Sequence, residues 1–198
     1  WGVGERHIKI DHLKGLKLKS IPHKSITSDD YLTLEEIVRL ISVAAPKKCD
    51  RAKAMATVQI FSGQAFVDSR NNNPNKIQII RDKKVMVGVR SKTGNEFIVP
   101  LDKVAIGVLE SYEWSSCKML TNHTYNKHLK ILAAYAGINK NVCTHTLRRT
   151  FAQNNLDGGI SAEVVAKMLG HKDTRMLKFY ATISATRVLD EYESRMAA

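Results

Sequence analysis

Cysteine is scarce in this chain, and the three present, Cys49, Cys117 and Cys143, stand far apart. Their odd number and the lack of any CxxC or metal-ligand spacing argue against a disulfide framework or a zinc module. They suit a reducing, cytoplasmic compartment. No apolar run approaches the ~18 residues of a membrane span. The first residues lack a signal-peptide pattern, so no membrane partner is expected. Acidic residues are few, 19 against 31 Lys and Arg, which leaves a net charge of +12. That excess favours a polyanionic partner through counterion release, although a merely soluble basic protein has the same balance. Repeats and low-complexity segments are missing as well. What is present is an ordinary globular composition, 43% hydrophobic over 198 residues, enough for one packed domain and an extra segment.

Residues 1–28 are basic, interrupted by Gly15 and Pro22, and read as an interdomain linker. Such a linker lies along a phosphate backbone or serves as a plain tether. With no initiating Met, the chain is expected to be a fragment preceded by N-terminal DNA-binding domains. The globular domain is expected over 29–198. Thr33-Leu34-Glu35-Glu36 forms a capping box before a helical stripe of Leu34, Ile37, Val38, Leu40 and Ile41. Asp50 is expected to cap a second helix that ends near Ser62-Gly63. From Lys76 the period changes to that of strands: I-Q-I-I, V-M-V-G-V-R and F-I-V-P, with turns at Asp82-Lys83-Lys84 and Thr93-Gly94-Asn95. Arg90 and Lys92, two apart at the end of the middle strand, are expected on one face; taken alone they read equally as cations that protect a sheet edge. Helices return after Pro100. The fold class is therefore α+β, mainly α, with one small three-stranded antiparallel sheet. His123 and His128 lie five apart, not the four of a metal pair, and read as surface residues.

The chemistry concentrates between residues 144 and 180. His145 and Arg148 are three apart, on one helix face, near an N-terminus that Thr144 or Thr146 is expected to cap. Ser161 caps a following helix that Gly170 ends. His171 comes next, and Tyr180 sits on a short helix expected over 174–181. Singly, each has an ordinary explanation: Tyr180 as a half-buried core residue, His171 as a helix-end histidine, Arg148 as part of a solvated face. Together, two imidazoles, a guanidinium and a phenol suit metal-free attack on a phosphodiester.

H-T-L-R-R-T-F-A (145–152), L-G-H (169–171) and Tyr180 resemble the signature of the tyrosine recombinase, or phage integrase, family. R-S-K-T-G before the V-P-L run resembles that family's β-hairpin lysine motif, and L-T-L-E-E-I resembles the start of its catalytic domain. The resemblance spans residues 31–198, with the flavour of integrases from Bacteroides-type conjugative transposons and related mobile elements. It implies a multihelical catalytic domain that closes as half of a clamp on double-stranded DNA, without metal or cofactor, in the bacterial cytoplasm at the nucleoid. It implies that Tyr180 attacks the scissile phosphate, leaving a 3′-phosphotyrosyl enzyme and a free 5′-hydroxyl. Lys92 corresponds to the general acid for the leaving oxygen, Arg148 to a clamp on the non-bridging oxygens, and His145 and His171 to residues that hold the phosphate and assist proton transfer. A homotetramer on two DNA sites is implied, with a monomer possible for the isolated domain. Residues 188–196 are expected either to dock on a neighbouring protomer or to pack in cis. Two other readings stand beside recombination and integration: relaxation of DNA by a type IB topoisomerase-like reaction, and a catalytically silent DNA-binding regulator.

One position departs from the family pattern. The family carries a first arginine near the end of the second helix, where this chain reads Ser62-Gly63-Gln64-Ala65-Phe66-Val67-Asp68. Ala65 stands in place of that arginine. Arg90 substitutes for it, Gln64 supplies a neutral hydrogen bond, or nothing replaces it. Arg90 is favoured, because the remaining motif residues are all present. Asp68 matches an acidic position whose expected role is to hold helix termini or an arginine.

Overall fold

The computed structural model describes residues 30–70, 72–115 and 119–179. The expected linker over 1–28, Tyr180 and the segment 188–196 lie outside the described residues. Helix α1 (Leu34–Ser42) begins with the expected capping box: Glu36 N donates to Thr33 Oγ1 at 3.3 Å, and Thr33 N donates to Glu36 Oε2 at 2.8 Å. The strand-like lead-in is pinned as well, since Leu32 N donates to the buried Thr150 Oγ1 at 2.9 Å.

Helix α2 (Asp50–Ser62) is the centre of the domain. Ten of its thirteen residues are buried, so it must be covered on nearly all sides. α4 (Lys103–Ser111), α5 (Asn122–Tyr135) and α6 (Thr144–Asp157) provide much of that cover, with α1 beside them. Met55, Val58, Leu109, Leu129, Leu132, Leu147 and Phe151 make up the core between them. Asp50 does not cap α2: it is the first helical residue, Cys49 holds the cap position, and no side chain caps it. The preceding turn at Lys47–Cys49 feeds the chain straight into the helix, so no capping side chain is required there.

α2 ends where expected, because Gly63 takes φ +59, a left-handed conformation that costs an L side chain energy. A Cβ at this position would lie 2.4 Å from Phe151 Cδ1 and 2.8 Å from Leu169 Cδ2. Gly63→Ala is therefore expected to cost about 3 kcal/mol from backbone strain and overpacking together. Urea denaturation checks this: the midpoint should fall with the slope unchanged. Past Gly63 the chain makes a single turn of helix, α3 (Phe66–Ser69).

The sheet is the expected meander, β1 (Ile77–Ile80), β2 (Lys83–Val89) and β3 (Glu96–Pro100), antiparallel in the order β1-β2-β3. The first turn is shorter than expected. Arg81 and Asp82 adopt φ 48 and 59, the geometry of a two-residue hairpin, so Lys83 and Lys84 belong to β2, paired with Ile80 and Ile79. Met86 faces Val99 and Gly88 faces Phe97 across the β2–β3 ladder. The buried Met86, Phe97 and Val99 turn to the helices, and β3 packs against α7 (Ala162–Leu169).

Candidate active site

Three chain reversals build the site: the α2–α3 junction, the β2–β3 turn and the C-terminal end of α7, all facing the first turns of α6. Together they line a cleft of about 440 Å³ that includes Ala65, Arg90, Lys92, His145, Arg148 and His171. Five side chains singled out in the sequence thus meet in one place. Neither Thr144 nor Thr146 is the N-cap of α6; Cys143 is. Thr146 still takes part, its Oγ1 accepting from Cys143 N at 3.3 Å. Thr144, one residue into the helix, instead binds Gln59, whose Nε2 donates to its Oγ1 at 2.7 Å. His145 is thereby set at the rim of the cleft, and Arg148 one turn deeper.

α7 starts at Ser161, whose Oγ accepts from Val164 N, and ends in a Schellman turn. Gly170 has φ +67, Gly170 N donates to Lys167 O, and His171 N donates to Ala166 O at 2.9 Å. Such an ending leaves the last carbonyls of the helix in need of donors. The site supplies them. Met168 O accepts from Arg90 Nη2 at 2.9 Å, and Leu169 O accepts from both Arg90 Nε at 3.0 Å and Arg148 Nη2 at 2.8 Å. Gly170 O accepts from Asn95 Nδ2 at 3.1 Å. Two guanidinium groups are therefore gathered at the negative end of a helix dipole. Arg148 Nη1 also donates to Gly63 O, which ties α6 to the end of α2.

Arg90 and Lys92 reach the cleft by a different route from the expected one. β2 stops at Val89, and both residues belong to the turn that follows. Arg90 N still donates to Asn95 O at 2.8 Å, which continues the ladder and keeps Arg90 inward in step with Met86 and Gly88. Its side chain is 4% exposed. Lys92, at the tip, is exposed. Asp68 holds the base of this turn: Arg90 Nη1 lies 3.4 Å from Asp68 Oδ2, and Ser91 N and Oγ donate to Asp68 Oδ1 at 3.1 and 2.7 Å. That is the expected structural role of an acidic group gripping an arginine. Gln64 is buried and points away from the cleft, its Nε2 donating to Met86 Sδ at 3.0 Å.

Positive charge is concentrated in the cleft and depresses the pKa values of its neighbours. Burial, then repulsion from Arg148, brings the Arg90 pKa down to about 10, with Asp68 opposing, so the group stays charged at neutral pH. Burial and the nearby Arg148 and Arg90 charges lower His171 to about 4, against Asp173. His171 is thus a neutral imidazole at pH 7. Its Nε2 lies 3.0 Å from Arg148 Nη2, and since a guanidinium only donates, Nε2 accepts and the ring proton sits on Nδ1. His145 is also lowered, by loss of water on its cleft side and by Arg149 and Arg148, with Asp30 opposing. For both histidines the unfolded chain takes up protons before the folded one. The contribution of His171 to stability is complete above pH ~6.5 and is lost as pH falls toward 4, and that of His145 has the same sign. For His171, about 2 kcal/mol should disappear between pH 7 and 4.5 after discounting for partial exposure. Denaturation at the two pH values checks it, and His171→Gln should flatten the difference.

Several contributors to the site were not singled out in the sequence. Gln59 bridges Thr144, Gln64 O and Tyr125, Asn95 closes the β turn onto α7, and Phe97 lies beneath Arg90. Only Gly88, directly opposite Phe97, hinted that a ring needed room there.

The phage integrase family model matches residues 30–187. This chain belongs to the phage integrase family. Among curated integrase-family relatives, tyrosine recombinase XerD of Oceanobacillus iheyensis is 28% identical over 193 residues, covering 87% of this chain and 64% of its own length. XerD of Shewanella oneidensis is 25% identical over 185 residues, covering 83% of this chain and 60% of its own. The chain thus spans less than two thirds of the length of these relatives. Among solved structures, XerA recombinase shares the fold with a TM-score of 0.68 at 20% identity, over 88% of this chain and 66% of its own. XerH site-specific recombinase, bound to a palindromic difH substrate after cleavage, gives 0.67 at 17% identity, over 93% and 57%. Among the described residues the integrase fold is multihelical with one small antiparallel sheet, as expected from the sequence.

Proposed function

We propose that this chain is the catalytic domain of a site-specific tyrosine recombinase that acts on double-stranded DNA. The observation that carries the reading is the convergence of Lys92, Arg90, Arg148, His145 and His171 on one cleft. In this scheme the scissile phosphate enters between the Arg90 and Arg148 guanidiniums, whose planar forks bind its non-bridging oxygens. Arg90 takes the place of the arginine absent at Ala65; its location beside Arg148 on Leu169 O supports this, and the direction of Gln64 speaks against the alternative donor. Tyr180, outside the described residues, attacks phosphorus through its phenolic oxygen and gives up its proton to one of the two histidines. The P–O5′ bond breaks as the P–O(Tyr) bond forms, and Lys92 donates a proton to the departing 5′-oxygen. His171, neutral and proton-bearing at Nδ1, and His145 hold the phosphate and assist proton transfer. Attack by another strand's 5′-hydroxyl reverses the step, so the phosphodiester energy is conserved without cofactor or metal.

Residues 29–198 then form one half of a clamp, with 1–28 as the linker to the other half, and strand exchange takes place in a homotetramer on two sites. The experiment is incubation with a nicked duplex that traps the cleaved strand, followed by peptide mapping. A covalent protein–DNA adduct with the nucleotide on Tyr180 supports recombinase chemistry. Binding without any adduct supports the silent regulator, the reading that the vacancy at Ala65 favours. An adduct with relaxation of supercoils but no exchange between two sites supports the topoisomerase-like reaction.

A further inference from the structure

Arg90 enters the cleft from the sheet, not from the α2–α3 junction where Ala65 stands, and something must aim it across that gap. Its hydrogen bonds to Met168 O, Leu169 O and Asp68 lie along the edge of the guanidinium. They fix the plane of the group and leave its flat face to be covered. The ring of Phe97 covers it: Arg90 Cζ lies 3.8 Å from the ring centroid, close enough for cation–π attraction between two side chains that are both buried. Phe97 itself is 4% exposed and sits opposite Gly88 in the β2–β3 ladder. A Cβ on Gly88 would approach Phe97 Cε1 and Cζ to 3.0 Å, so the missing side chain makes room for the ring over β2. On the other side, a Cβ on Gly170 would lie 2.5 Å from Arg90 Cγ. The arginine stem thus passes through the clearance at Gly170, and the ring beneath its head fills the clearance at Gly88.

We propose that Phe97 is a positioning residue whose ring holds the Arg90 guanidinium at the phosphate site left open by Ala65. This rests on the reading of Arg90 as the second phosphate clamp. Phe97 touches neither DNA nor the reacting atoms in this scheme; it covers the face of the group that does. Its loss should therefore slow chemistry at saturating DNA and leave DNA affinity nearly unchanged. A floor that attracts a cation also differs from one that merely fills space, because its effect follows the negative charge on the ring face.

The test is single-turnover cleavage of the nicked duplex. Phe97→Leu should cleave about 10- to 100-fold more slowly with an unchanged DNA Kd, as expected for a misplaced clamp. Phe97→Tyr, which keeps the ring, should stay close to the parent. Stepwise fluorination of the Phe97 ring keeps its shape while draining its negative face, and the logarithm of the rate should fall with each fluorine. Adding Ala65→Arg to Phe97→Leu should recover cleavage by supplying a guanidinium from the usual place. If the leucine variant does not fold, the fluorinated series decides alone. A fluorinated series as fast as the parent, with Arg90→Ala slow, overturns the role of Phe97 and leaves Arg90 as the clamp. Arg90→Ala cleaving as fast as the parent overturns both.

Discussion

Arg148→Ala should lower first-strand cleavage by about a thousandfold, the scale of losing a donor aimed at developing phosphoryl charge. Arg148 joins several parts of the cleft. Its guanidinium donates to Gly63 O, Leu169 O and His171 Nε2, so it connects the ends of α2 and α7 to the first turns of α6. With 8% of the residue exposed, truncation also takes this buried donor from Gly63 O, while Leu169 O keeps Arg90 Nε. An accompanying stability loss of about 2–3 kcal/mol is expected. Arg148→Lys separates the two effects. It keeps a charge but not the fork, so it should regain more stability than cleavage. Cleavage rate and urea midpoint measured on both variants would show the split; equal recovery of the two would mean that Arg148 acts through folding alone.

Arg90→Ala comes second. The pair it forms with Asp68 is nearly enclosed, with the two side chains 4% and 6% exposed. Removing one partner of such a pair costs about 3 kcal/mol, because the remaining charge stays out of water. Asp68 retains the two Ser91 donors, which keeps the figure at the lower end of that range. Cleavage should fall by about a hundredfold, the scale of losing one preorganised phosphate contact. Asp68→Ala in the Arg90→Ala background should regain part of the stability and none of the cleavage. Parent-like cleavage by Arg90→Ala, measured on the same nicked duplex, would remove Arg90 from the site.

Local signals in the sequence were good guides to local structure. The Thr33–Glu36 box, the Gly63 and Gly170 stops and the β meander each rest on residues a few positions apart, so short-range rules suffice to read them. Boundaries went astray where a neighbour in space took over a local duty. Cys143 caps α6 because Thr146 turns back to it, and Asp50 is drawn into α2 by the turn before it. Within the site, residue types and order pointed to His145, Arg148, His171 and Lys92, and the gap at Ala65 pointed to Arg90. Of the means of holding Arg90, only Asp68 had such a signature. Leu169 O, Asp68 and Phe97 are gathered by the packing of α7 and α3 against the sheet, and a backbone carbonyl carries no mark in a sequence at all. The family's usual arginine position made the difference at Ala65 visible; the contacts that hold Arg90 are visible only in the fold.

The β2–β3 turn is bolted at both ends and closed in the middle by Thr93 N and Gly94 N, which donate to Arg90 O at 3.2 and 2.9 Å. Ser91 is fastened to Asp68 and Asn95 to Gly170, while Gly94, at φ +69, has nothing within 4 Å of where a side chain would start. Lys92 therefore sits on a short turn fastened at two fixed posts. Under the proposed function, the proton donor and the Arg90 half of the phosphate grip share that turn, so a change in its length should alter delivery of the proton and hold on the strand together.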